Sequence, residues 1–222
     1  MFKKVLVAED LGSTNHGIVD ILEEKLHITE VQQALYCDDA FIKVRKAKKE
    51  DQPFQLLITD LSFTKDYREQ NIKKGEELII KTREVIPDIK VLVFSIENRP
   101  SKIKTLFKDY GINGYICKGR YSLTELEKAM TQMYSGTNYL SADLERTLKS
   151  SNIFELEEFD TILLKKLSEG LSQKQIAIEL KNQSISPNSI SIIEKRLNRI
   201  KSEFRANSTI HLISIVKDLG LI

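Results

Sequence analysis

Glu9, Asp10, Asp60, Ser95 and Lys118 are the side chains of this chain best suited to chemistry on an anionic group. Each follows a short apolar or β-branched run. Val5-Leu-Val-Ala precedes Glu9-Asp10, Leu56-Leu-Ile-Thr precedes Asp60, Val91-Leu-Val-Phe precedes Ser95 and Tyr115-Ile-Cys precedes Lys118. If these runs are parallel strands, all five residues stand on one rim, because ligands of an open parallel sheet bind beyond the carboxyl ends of its strands. Three carboxylates and one ammonium carry a net charge of about −2 when ionised. Such a group calls for a cation, and Mg2+ suits it, since that ion takes one or two carboxylates, waters and a phosphoryl oxygen. A carboxylate beside a divalent cation can attack a phosphoryl donor and become an aspartyl phosphate. Asp60 would be that nucleophile. Ser95 would hydrogen-bond the new oxygens, and Lys118 would pair with their charge. The plainer reading, helix caps and loop acids on a solvated rim, suits any one of these residues but not all of them at strand ends.

Positioning them takes alternating strands and helices over residues 1–136. Apolar residues recur at helical spacing between the strand-like runs: Ile18, Ile21 and Leu26; Phe41 and Val44; Leu78, Ile79 and Ile86; Ile103, Leu106 and Phe107; Leu123, Leu126, Met130 and Met133. Glu30 to Tyr36 supplies the remaining strand. Such a series implies an α/β fold, a doubly wound five-stranded parallel sheet with helices on both faces. After Gly136 the pattern changes. Residues 137–155 read as a linker with a break at Ser150-Ser151-Asn152. Residues 156–222 carry only helical stripes, the signature of a small all-α domain: Ile162, Leu163 and Leu167; Ile176, Ala177 and Leu180; Ile193, Leu197, Ile200 and Phe204; Ile210, Leu212 and Val216. Gly170 is expected to end a helix, Ser172 to start one, and Ser186-Pro187 to start another.

A chain of 222 residues suits one large or two small domains. The net charge of +2, from 34 basic and 32 acidic residues, excludes a globally basic nucleic-acid coat, so any such contact must be local. The apolar runs are far too short to span a bilayer, and no secretory h-region follows the start. Cys37 and Cys117 make no disulfide framework, and His16, His27 and His211 have no metal-ligand spacing. A reduced cytoplasmic protein without membrane association is expected.

The motifs Val7-Ala8-Glu9-Asp10, Leu57-Ile58-Thr59-Asp60-Leu61-Ser62, Val93-Phe94-Ser95 and Gly114-Tyr115-Ile116-Cys117-Lys118 resemble the receiver domain of two-component response regulators, a flavodoxin-like fold. The resemblance implies Asp60 as phosphoacceptor for a sensor histidine kinase. It implies Glu9, Asp10, Asp60 and the Ser62 main-chain carbonyl as Mg2+ ligands, Ser95 and Tyr115 as switch residues, and Lys118 as the phosphate-pairing lysine. It also implies a homodimer when phosphorylated, for which the helical faces near Ile18 and Leu126 are candidate contacts. The chain departs from the family at Phe63-Thr64, where a Met/Leu-Pro pair is common, and in the long stretch Lys65-Asp66-Tyr67-Arg68-Glu69-Gln70-Asn71 before Gly75. A phosphatase of the haloacid dehalogenase type would need an aspartate at Ser62 as proton shuttle, so turnover by that route is excluded and no enzyme is expected.

In the second domain Gly170-Leu-Ser-Gln-Lys-Gln-Ile-Ala177 resembles the LuxR-type helix-turn-helix of the NarL/FixJ branch, and Gly136-Thr-Asn-Tyr-Leu-Ser and Leu219-Gly-Leu-Ile also fit it. The family's Thr-Val-Lys-x-His run is absent, and alignment on the ladder Ile193, Leu197, Ile200 and Phe204 preserves packing. That register implies duplex DNA contacts from Asn188, Ser189, Ser191, Ile192, Lys195, Arg196 and Arg199 near base edges and from Lys201 and Arg205 at phosphates. Lys195, Arg196, Arg199 and Ser202 are expected to project outward. The alternative is a protein-binding bundle, because residues 150–222 are nearly neutral, with ten basic and nine acidic residues.

Overall fold

The computed structural model describes residues 1–64, 69–145 and 156–222. Of the long stretch before Gly75, Lys65 to Arg68 lie outside the described residues, as do residues 146–155 of the expected linker. The chain divides into two compact units, and each is described by itself.

The first unit is one parallel sheet of β1 (Lys4–Ala8), β2 (Glu30–Ala34), β3 (Leu56–Thr59), β4 (Lys90–Ser95), β5 (Gly114–Cys117) and β6 (Tyr139–Leu140), in the order β2-β1-β3-β4-β5-β6. The crossovers are α1 (Gly12–Asp20), which runs into a π-helical turn at Ile21–Lys25, then α2 (Cys37–Lys49), α3 (Gly75–Val85), α4 (Pro100–Lys108) and α5 (Ser122–Tyr134). Successive strand residues face opposite sides of the sheet. Leu6, Leu57, Val91 and Val93 therefore pack with Ala40 and Val44 of α2, Leu78 and Ile79 of α3, and Ile103 and Leu106 of α4. Val5, Val7, Ile58, Leu92 and Phe94 pack on the other side with Ile18 of α1 and Leu126, Met130 and Met133 of α5. Each of these side chains larger than alanine, fully buried, contributes about 1.5–3 kcal/mol. Ile18 and Leu126 have no exposed surface and are core residues, so the expected dimer contact does not lie on them.

The five expected strands are present, and β6 is a correction to the expected count and to the linker. Two residues are too few to show alternation in sequence. The strand is defined by its pairing, Tyr139 with Gly114 and Leu140 with Tyr115.

The second unit is all helical: α6 (Glu158–Ser168), α7 (Gln173–Asn182), α8 (Ile190–Glu203) and α9 (Thr209–Asp218). Capping boxes start α6 at Glu157 with Asp160 and α7 at Ser172 with Gln175. Gly170 follows α6 at φ +91, the left-handed conformation that glycine adopts without strain. The expected start at Ser186-Pro187 is corrected to Ser189. Asn188 Nδ2 closes the preceding turn on Ile185 O at 3.1 Å, and the Ile193 N–H takes Ser189 O at 3.1 Å as the first helical bond. The core joins Leu163, Leu164, Ile176, Leu180, Ile193, Leu197, Ile200, Leu212 and Val216. The ladder register of α8 is the one observed. Ile210, expected in the stripe of α9, is 85% exposed instead. Among the described residues no helix is long and apolar enough to cross a membrane.

Candidate functional site

β1 lies between β2 and β3, so strand order reverses there, and the crevice opens above the ends of β1 and β3. Register places the acids in it. Ala8 pairs with Thr59, and the Asp60 N–H continues the ladder to Ala8 O at 3.1 Å. Glu9 and Asp60 thus leave adjacent strands side by side. Ser95 pairs with Cys117, and the Lys118 N–H reaches Ser95 O at 2.7 Å, so these two stand together at the next strand ends.

Carboxylate oxygens of Glu9, Asp10 and Asp60 lie within 4.8 Å of one another. Lys118 Nζ donates to Asp60 Oδ2 at 2.6 Å and to Glu9 Oε1 at 3.0 Å. Asp60 Oδ1 accepts from the Leu61 N–H at 2.6 Å and the Ser62 N–H at 3.4 Å. Burial pushes the Glu9 carboxyl above the usual glutamate range, against the hydrogen bond from Lys118. Burial also works against the Lys118 ammonium, but the hydrogen bonds to Asp60 and Glu9 together outweigh it and hold its pKa above the ordinary lysine value. Asp10 is half-buried, and its Oδ2 accepts from the Thr64 N–H at 2.7 Å, which ties the loop after Asp60 to the acidic cluster. The far end of that loop is tied to α2, with Asp38 accepting from Asn71 N–H at 2.9 Å and Ile72 N–H at 3.2 Å.

An all-oxygen cluster suits a hard cation such as Mg2+. The buried Ser95 hydroxyl, at the end of β4 on this rim, makes no well-formed hydrogen bond and has the Tyr115 phenol as its polar neighbour, so it can still serve an acceptor bound here. Tyr115 is already fully buried, with its hydroxyl donating to Glu97 O at 2.6 Å. The Glu97 carbonyl thus satisfies the phenol inside the fold. The structure thus brings Glu9, Asp10, Asp60 and Lys118 together, with Ser95 and Tyr115 on the neighbouring strands. Ser62 is exposed just beyond Asp60 and bridges to Lys74.

Two positions that sequence reasoning missed hold this framework. Asn15, buried on α1, donates from Nδ2 to Glu9 O at 2.9 Å. Gly75, the first residue of α3, packs against the backbone of Asp60 and Leu61. A Cβ there would stand 1.9 Å from Asp60 O and 2.9 Å from Leu61 Cα. Backbone cannot yield as a side-chain tip can, so Gly75→Ala should destabilise the first unit by about 3 kcal/mol or more. Thermal unfolding checks this, and a transition unchanged from wild type would show that the loop absorbs the methyl freely.

In the second unit, Ser189, Ser191, Ile192, Lys195, Arg199 and Arg205 are exposed, while Asn188 and Lys201 are half-buried. Arg205 follows α8 at φ +50, a conformation disfavoured for a side chain of this size. Arg196 is a correction. It does not project outward, because its Nε and Nη2 fork onto the fully buried Asp160 at 2.5 and 3.2 Å, with Glu157 alongside. These carboxylates raise the Arg196 pKa.

Fold and site together define a two-unit architecture: a doubly wound α/β unit with an acidic crevice, and a small helical unit. No family model matches the chain, and no curated protein does. Solved structures do. The RcsB response regulator of Salmonella typhimurium matches with 21% identity over 96% of this chain and 98% of its own, at a TM-score of 0.74. RcsB of Salmonella enterica serovar Typhimurium bound to promoter P1flhDC with phosphomimetic BeF3− matches with 22% identity over 99% and 100%, at 0.61. The isolated receiver (REC) domain of that protein with BeF3− matches with 24% identity over 66% and 98%, at 0.53. The chain has the fold of these response regulators across both units.

Proposed function

We propose that the chain is a phosphorylation-controlled, DNA-binding response regulator of a two-component system. Residues 1–136 together with β6 act as receiver, the residues between β6 and 156 as linker, and residues 156–222 as a LuxR-type helix-turn-helix domain. The observation that carries this reading is the cluster of the Glu9, Asp10 and Asp60 carboxylates, with Lys118 bridging Glu9 and Asp60 and the Ser95 hydroxyl buried on the same rim. Glu9, Asp10, Asp60 and the Ser62 carbonyl would hold Mg2+, which when bound supplies the positive charge that lets carboxylates and phosphoryl oxygens share one site. An Asp60 oxygen forms a bond to phosphorus. The donor's bond to phosphorus breaks, and its electron pair leaves with the imidazole of a sensor histidine kinase or with acetate from acetyl phosphate. Lys118 pairs with the new charge, about −1.5 to −2, and the Ser95 hydroxyl donates to a phosphoryl oxygen. Because Tyr115 already lies inside, modification stabilises this packing and does not create it. The modified chain pairs two-fold, so that two output domains meet half-sites about one helical turn apart. This is a regulator in a reduced cytoplasm, not an enzyme.

α8 is the proposed reader of duplex DNA. With Arg196 committed to Asp160, the base-edge candidates are Asn188, Ser189, Ser191, Ile192, Lys195 and Arg199. Lys201 and Arg205 remain the phosphate candidates. Lys195→Ala and Arg199→Ala should each cost about 1–3 kcal/mol at a single base pair. Lys201→Ala should weaken all sequences alike and lower the salt slope by about one. Binding to target duplex across a salt series, with and without beryllofluoride, tests both units at once. A second reading, a bundle that binds protein, draws on Ile178, Ile190 and Ile192, which are 61%, 41% and 44% exposed. Salt-independent, sequence-blind behaviour toward duplex DNA would favour that reading.

A further inference from the structure

Ser141 follows β6 and is 3% exposed. Its N–H donates to Tyr115 O at 3.0 Å. Its hydroxyl oxygen accepts from the Cys117 N–H at 3.0 Å and, as donor, the hydroxyl reaches Glu125 Oε2 on α5 at 2.6 Å. The ladder between β5 and β6 stops at Leu140, so the Ser141 side chain extends it by one step along β5. That step matters because β5 carries Tyr115 and ends at Lys118. The Lys118 N–H is held from the opposite side by Ser95 O at 2.7 Å. The two peptide N–H groups next to the site are therefore gripped from both sheet neighbours, one by Ser95 and one by Ser141.

Glu125 decides how Ser141 acts. A hydroxyl that gives its proton to a carboxylate turns its lone pairs toward the peptide, and a hydrogen bond to a charged acceptor is among the stronger ones. The same carboxylate lies beside Tyr139, whose phenol is pushed up to about 12 by burial and by this neighbour. Without the Ser141 hydroxyl, the Cys117 N–H would lose its partner inside the sheet, a state that native backbones avoid.

We infer that Ser141, oriented by Glu125, is a positioning residue for Lys118 and Tyr115, and that it ties the chain leaving the first unit to the strand that reads the phosphoacceptor. The inference rests on the phosphoacceptor reading of Asp60 and assigns how that site is held. Ser141 touches neither donor nor cation.

The test uses the full chain, acetyl phosphate and Mg2+. Ser141→Ala should slow labelling about three- to tenfold, the loss expected for one aligned hydrogen bond. Ser141→Thr keeps the hydroxyl and tolerates strand geometry, and should label at close to the wild-type rate. Glu125→Ala should behave like Ser141→Ala, and the double change should be no slower than either alone, because the two act in series. Labelling of Ser141→Ala at the wild-type rate, or of Ser141→Thr as slowly as Ser141→Ala, overturns the inference. A wild type that takes no label removes only the phosphoacceptor reading. The amide resonances of Lys118 and Asp60 in the unmodified proteins then decide. They should move in Ser141→Ala and return in Ser141→Thr, and resonances unmoved in Ser141→Ala overturn the positioning role.

Discussion

Acetyl phosphate with Mg2+ should add one phosphoryl group to the wild-type chain and none to Asp60→Asn. An amide is close to the carboxylate in shape but is not a nucleophile at phosphorus, so the effect is all or none. The geometry allows Asn at this position. Oδ1 would still accept from the Leu61 N–H, while the Lys118 hydrogen bond to Oδ2 would be lost, since an amide nitrogen only donates, and Lys118 would keep its contact with Glu9. The folded framework should therefore survive while labelling is lost. Glu9→Ala combined with Asp10→Ala should lose Mg2+ affinity, since two of the three clustered carboxylates disappear. The pH dependence has a defined sign. Burial raises the Glu9 pKa, so if Glu9 holds the cation as proposed, protons compete for it at higher pH than for an ordinary glutamate. Mg2+ affinity should thus begin to fall above the usual glutamate range as pH drops. Intact-mass spectra read the labelling, and equal uptake by wild type and Asp60→Asn would end the assignment of the nucleophile.

The site was legible because each of its residues follows a strand that is apolar on both faces. A run such as Val91-Leu-Val-Phe marks its own C-terminal end, and the parallel fold collects those ends on one rim. What supports the rim was not legible. Gly75 shows only as a glycine before a helical stripe, and the Asp60 carbonyl that excludes its Cβ is a tertiary neighbour. Asn15 reads as an ordinary polar position in a helix, yet it holds the Glu9 carbonyl. β6 has too few residues to carry a period and exists only through β5. In the second unit, period 3.6 identified the buried ladder of α8 correctly. It failed for Ile210, because apolar character does not force burial when the packing surface ends. It also failed for Arg196, because a helical face says nothing of an acid on another helix.

Arg196→Ala should cost about 3–5 kcal/mol in the second unit, one of the largest effects of any single change in this chain. The reason is the partner it leaves behind. Asp160 has no exposed surface, and its two oxygens receive the Arg196 fork. Its Oδ2 also accepts from the Glu157 N–H at 3.1 Å, one arm of the capping box. One neutral donor does not balance a buried carboxylate. Asp160→Ala should cost less. It leaves an arginine that is 20% exposed in its side chain and still paired with Glu157, so the cation can turn toward water. The double change Asp160→Ala, Arg196→Ala should then be milder than Arg196→Ala alone, since no uncompensated charge remains. Chemical denaturation of the three variants measures this ranking, and an Arg196→Ala variant as stable as wild type would contradict it. The ranking also governs how DNA binding is dissected. Loss of binding in Arg196→Ala would report a loosened α8, not a lost base contact. Restoration of folding by the second change, with binding measured again, separates the two. Lys195→Ala and Arg199→Ala, exposed on the same helix, are the variants that question the reader itself.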